Sequence, residues 1–195
     1  MEYGLLKFFH LLGAVLMGSG LIGVWMTDLR SRQLRELTPF SEAIRNIAVF
    51  YDGLVVPGAL LLLVSGTWLI VQFYDGWNFL WTPWLAGMVG LFAFEFIEGN
   101  TVTRLYFMRM RRLTRTALTA GRITPGLARA RGEVVPTFTH FLDLPILFVI
   151  IALGAMQPAT WTFFIVGSLT AIAIATVMTV LIPRLYPWGS EPAPT

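Results

Sequence analysis

Five apolar stretches, each long enough to cross a bilayer, dominate this chain and constrain its fold more than any other feature. A hydrocarbon core takes about 20 helical residues to cross. The stretches run over residues 5–26, 44–73, 83–107, 134–156 and 160–182, the last stopping at Pro183, a residue that cannot continue the helical hydrogen-bond ladder. Lipid offers the backbone no partners, so spans of this length must be helical. The expected fold is all-α: a polytopic transmembrane bundle with a four-helix core over 1–158, then a fifth helix and tail over 159–195. Composition agrees, since 56% of the chain is hydrophobic and 13% charged, where a soluble domain carries about 25% charged residues. The first stretch lacks a basic leader and a small-residue cleavage site, and it carries His10. It reads as a span, not a cleaved signal.

The arginines give the orientation. Thirteen of the 14 basic residues are arginine. Arg30, Arg32, Arg35 and Arg45 follow the first stretch, and Arg109, Arg111, Arg112, Arg115, Arg122, Arg129 and Arg131 follow the third. The intervening segment 74–82 has no basic residue but holds Trp77 and Trp81, with Trp84 beside it. The positive-inside rule places both arginine segments in the cytoplasm and the tryptophans at the outer interface. The N-terminus is then outside and the C-terminal tail inside. A net charge of +3 and a pI near 9.7 are thereby explained as topology signals, with the lipid bilayer, not nucleic acid, as the partner. Thr124 is placed to cap a short helix starting at Pro125.

The total absence of cysteine removes disulfides, thiolate metal sites, iron–sulfur ligation and c-type haem attachment. Chemistry must come from the ionisable residues inside the stretches, which are functional candidates because they are costly there. These are His10, Asp52, Glu95, Glu98, Arg104, His140 and Asp143. At about 1.5 Å per residue, Asp52 lies about 10 Å past Arg45, Glu98 about 13 Å before Phe107, and His140 and Asp143 about 9 and 13 Å past Val134. Four acids and a histidine from three helices thus share one half of the bilayer. Glu95 and Glu98, like His140 and Asp143, are spaced i, i+3 and share a helix face. Three readings follow: a divalent metal site on Asp52, Glu95, Glu98, His140 and Asp143, a proton or quinone-linked relay on the same groups, or a structural network in which Arg104 pairs with the acids and His140 donates to Asp143. Pro145 removes a backbone donor beside this set.

His10 stands apart, with Gly13, Ala14 and Gly18 following near its face. Small residues there admit either a neighbouring helix or a flat cofactor. The run from Lys7 to Trp25, with its aromatic-His pair and small residues, resembles the first helix of an uncharacterised bacterial family of small integral membrane proteins. That family is similar to the copper-resistance-D-like domains and to the HemJ-type protoporphyrinogen oxidase. Asp52 with ValProGly at 56–58, SerGly at 65–66 and MetGlnPro at 156–158 extend the resemblance over residues 1–158. It implies a multi-pass protein of the bacterial inner membrane and haem b on His10. His140, the other intramembrane histidine, is a further candidate ligand on its own reading. The fifth helix and the Glu95/Glu98 pair depart from that pattern. The functional expectations are a haem b- or quinone-associated redox protein, a divalent metal or proton transporter, or a non-catalytic subunit that docks in a larger complex or homo-oligomer.

Overall fold

Apolar side chains on long helices can be buried only against one another or against lipid, and the chain does both. The structure, a computed structural model, describes residues 1–188. Five helices are long and apolar enough to span a membrane: α1 (Glu2–Gln33), α2 (Leu37–Phe73), α3 (Pro83–Ala120), α5 (Val134–Met156) and α6 (Thr162–Leu185). A short α4 (Pro125–Arg131) links α3 to α5. They run alternately up and down, so one end of the bundle collects Trp77, Trp81, Trp84 and Trp161 and the other the arginines, with Trp188 packed among them. The expected tail at 189–195 lies outside the described residues.

The first correction concerns helix length. α1 has 32 residues, α2 37 and α3 38, which at 1.5 Å each is about 48–57 Å against a core of about 30 Å. Arg30 and Arg32 therefore belong to α1, Arg45 to α2, and Arg109, Arg111, Arg112 and Arg115 to α3, instead of lying in loops. Hydropathy marks where lipid ends, whereas arginine and leucine are good helix formers on either side of that boundary. The connections shrink accordingly. Residues 121–124 turn on Gly121, which closes α3 in the left-handed region at φ 66° as helix C-termini commonly do. The Thr124 hydroxyl then accepts the Leu127 amide and caps α4 as expected. The second correction is Pro183, which does not end the last helix. α6 runs on to Leu185, because a proline this near the C-terminus forfeits only one bond of the final turn.

α1 and α2 pack backbone to backbone. A Cβ on Gly58 would stand 2.5 Å from the Met17 nitrogen, and one on Gly13 would stand 3.0 Å from the Gly58 carbonyl oxygen. ValProGly at 56–58 is thus a helix-crossing element. On the other side α5 packs against α3 and α6 through Phe141, Ile146, Ile150 and Leu153. Both α2 and α3 are interrupted by one π-helical turn, Tyr51–Val55 and Gly99–Thr103. Such turns widen the helix by a residue and free backbone groups, and they concentrate at functional sites.

Candidate functional site

The two π-turns face each other. The Tyr51 hydroxyl donates to the Gly99 carbonyl at 2.8 Å, linking one turn to the other. Arg104, at the end of the second turn, donates to Asp52 in the first at 3.0 Å. Toward the arginine end α2 and α3 pack together; toward the tryptophan end the pairing gives way to an α1–α2 pair and an α3–α5 pair. The junction of the two pairs is where the acids converge.

Glu95 and Glu98 on α3 and Asp143 on α5 are all buried there, at 4%, 8% and 3% exposure. Glu98 accepts from the Thr103 hydroxyl at 2.9 Å, and Thr103 meets Thr139 at 3.2 Å. One oxygen of Glu95 and one of Asp143 are wholly buried and have no partner. Glu95 lies twelve residues from Pro83, about 18 Å along α3, which places the trio near the middle of a core about 30 Å thick. None of the ion pairs among the described residues involves these three acids. A cavity of about 90 Å³ adjoins them, with Glu95, Asp143, Tyr51 and Asn100 in its wall.

The structure divides the remaining expected residues among other places. Asp52 points to the perimeter, its side chain 56% exposed beside Arg104 at 39%. Both lie about 32 Å from the tryptophan end of their helices, at the edge of the hydrocarbon. The sequence depth for Asp52 was measured from Arg45, and α2 overshoots the bilayer there; this is why Asp52 leaves the acid cluster. Among the described residues Arg104 accordingly pairs with Asp52 alone, in a half-exposed bridge instead of a buried network. His140 and Asp143 share a helix but not a site. The two histidine ring nitrogens are buried without hydrogen-bond partners, between Phe107, Phe141 and Trp25, so His140 does not donate to Asp143. Among the described residues, no group of three or more His, Cys, Asp or Glu is arranged to hold a metal ion.

Three residues absent from the sequence expectation surround His140. Asp28 accepts from Arg32 Nε at 2.9 Å, both side chains almost wholly buried, and Asp28 lies 3.8 Å from His140 Nε2. Trp25 donates to the His140 carbonyl at 2.9 Å. The Arg32 guanidinium lies 4.5 Å from the Trp188 ring, whose Nε1 donates to the Arg131 carbonyl. Arg131 in turn stands 4.1 Å over Phe40. Burial lowers the Arg131 pKa from its ordinary value, and the guanidinium still remains charged. The Asp28–Arg32 pair has an i, i+4 signature, readable once α1 is carried past Met26.

His10 hydrogen-bonds Ser65 at 3.1 Å, and a Cβ on Gly66 would touch its ring at 3.1 Å. SerGly at 65–66 is therefore the seat of His10 on α2. The approach that Gly13 permits is taken by α2 itself. His140 is level with Trp25, fifteen residues along α1 from His10, or about 22 Å. The two histidines cannot share one iron.

Residues 4–158 match the family described as Predicted integral membrane protein (DUF2269), which covers every helix through α5. The chain belongs to this family. It is an integral membrane protein in contact with the lipid bilayer, and α6 lies beyond the matched region of DUF2269. No curated protein and no solved structure matches the chain. The matched stretch of this chain spans both π-turns, all three buried acids and both histidines.

Proposed function

We propose that this DUF2269 protein binds and passes protons within the membrane, as the proton site of a transporter, through Glu95, Glu98 and Asp143. The observation that carries the reading is three buried carboxyls, from two helices, without a basic partner. An ionised acid at this depth costs about 2.5–3.5 kcal/mol on insertion scales, and the trio would incur that cost three times. Acids gathered in one buried site without a counter-charge disfavour one another's ionisation, so protons are held among them. A purely structural network leaves no lone oxygens, yet Glu95 and Asp143 each have one that is wholly buried, and both residues line a cavity. At about 30 Å³ per water, a cavity of about 90 Å³ holds a few waters, which is what proton exchange needs. Thr103 and Thr139 orient the Glu98 end of the trio.

The test is infrared difference spectroscopy of the reconstituted protein between neutral and alkaline pH. We expect the carbonyl stretch of a protonated carboxylic acid at neutral pH, diminished in Glu98→Gln and in Asp143→Asn. A spectrum showing only carboxylate, or an acid band untouched by both substitutions, overturns the proposal.

A further inference from the structure

The cavity at the acid trio has a second property: it opens sideways. Its outer wall is Leu60, 47% exposed, with the half-exposed Val56, Phe96 and Asn100 beside it, between α2 and α3. These positions lie well inside the apolar part of both helices, so the opening gives onto lipid. Glu95 and Asp143 stand in its inner wall, each also holding one wholly buried oxygen without a partner. Between the two ends the lining is largely aliphatic, including Met17, Leu21 and Ala59.

We infer that this cavity is a binding site for a small lipophilic ammonium ion, which enters from the bilayer and takes the place of a proton on Glu95 and Asp143. This deepens the proton-site reading and rests on it. The chemistry follows from the two ends. Buried acids with no cation of their own recognise positive charge, and in a low dielectric they do so strongly. Inorganic ions instead require a shell of six or so oxygens, which an aliphatic lining does not supply. An alkylammonium ion brings three donors for the carboxyl oxygens and a hydrocarbon body for Leu60, Val56 and Phe96. The volume accepts the head group and a carbon or two, leaving the remaining chain in the lateral opening. Because proton and ammonium compete for the same oxygens, binding one releases the other, the exchange a proton-coupled carrier requires.

The experiment uses the full chain in lipid nanodiscs, titrated with butylammonium and hexylammonium, and with hexanol and sodium chloride as controls. Calorimetry reads binding and the infrared acid band reads the proton. We expect saturable hexylammonium binding that weakens as pH falls, loss of acid band on binding, and abolition in Asp143→Asn. Leu60→Trp, which fills the lateral opening without touching the acids, should weaken hexylammonium by at least about tenfold while leaving the acid band at its wild-type intensity. An intact acid band with no saturable ammonium binding, or with sodium alone displacing it, overturns this inference and leaves the proton site standing. Equal binding of hexanol, or wild-type binding in Leu60→Trp, overturns it as well. A missing acid band in the wild type overturns both.

Discussion

Asp28 and Arg32 illustrate what a single residue pair does at the edge of this bundle. Each is almost wholly buried, and each is the other's only ion-pair partner within 3 Å. Removing one partner of such a pair leaves an uncompensated buried charge, at a cost of about 3–5 kcal/mol. Asp28→Ala should therefore lower the thermal unfolding midpoint in detergent sharply, and adding Arg32→Met should recover most of the loss. If the single substitution is as mild as a surface change, the pair is not the anchor of the arginine end. His10 is expected to behave differently. Its bond to Ser65 is interhelical, and such bonds average about 0.6 kcal/mol in membrane proteins, so His10→Ala should cost under about 2 kcal/mol in the same assay. A larger loss would mean that His10 holds more than Ser65. Glu95 and Glu98 were legible in the sequence because i, i+3 spacing inside an apolar run is a direct statement about helix faces; Asp143 stood out only as an acid inside a span, and its i, i+3 spacing to His140 pointed to a pairing the structure does not make. Asp28 was not legible, because it stands two residues past the last apolar residue, where hydropathy alone stops the helix.

At the scale of the element, the paired π-turns are what convert two ordinary spans into a site. Neither turn has a sequence signature that hydrophobic periodicity detects, since one inserted residue shifts the apolar face without making it less apolar. Their coupling is nonetheless specific. A Cβ at Gly99 would meet one atom within 4 Å, the Tyr51 hydroxyl oxygen at 2.8 Å. Gly99→Ala should therefore destabilise the protein by about 1–3 kcal/mol through overpacking, and most of that penalty should vanish in a Tyr51→Phe background, where the obstructing oxygen is gone. Additive losses in this double-mutant cycle would show that the turns do not bear on each other. The helix crossing at Gly58 offers the contrasting case. There the obstruction is the Met17 backbone, and no side-chain substitution should rescue Gly58→Ala. ValProGly at 56–58 was visible as a motif, but its role depends on which helix crosses there, and that is tertiary information.

For the whole molecule, the open question with the widest consequence is which end faces the cytoplasm. The five spans and their alternation were legible because membrane thickness fixes span length, and the structure keeps every one of them. Their ends were not, since α1, α2 and α3 continue as helix well beyond the apolar runs. That continuation alters the charge argument in form but not in sign. The arginines stand on helical extensions at one end of the bundle, on α1, α2, α3 and α4, while Trp77 and Trp81 stand exposed at the other, at 83% and 87%. Charge bias within about 15–20 residues of the span ends governs orientation, and every arginine from Arg30 to Arg131 lies toward the same end. We therefore expect the arginine end to be cytoplasmic. The chain has no cysteine, so single introduced thiols report without background. Asp75→Cys, in the turn between α2 and α3 at the tryptophan end, should react with a membrane-impermeant maleimide in intact cells. Thr119→Cys, on the exposed last turn of α3, should react only after the cells are opened. Labelling of Thr119→Cys in intact cells with Asp75→Cys protected would invert the orientation. The lateral opening beside Leu60 would then stand in the outer half of the bilayer, and a proton released by Asp143 would leave toward the opposite compartment.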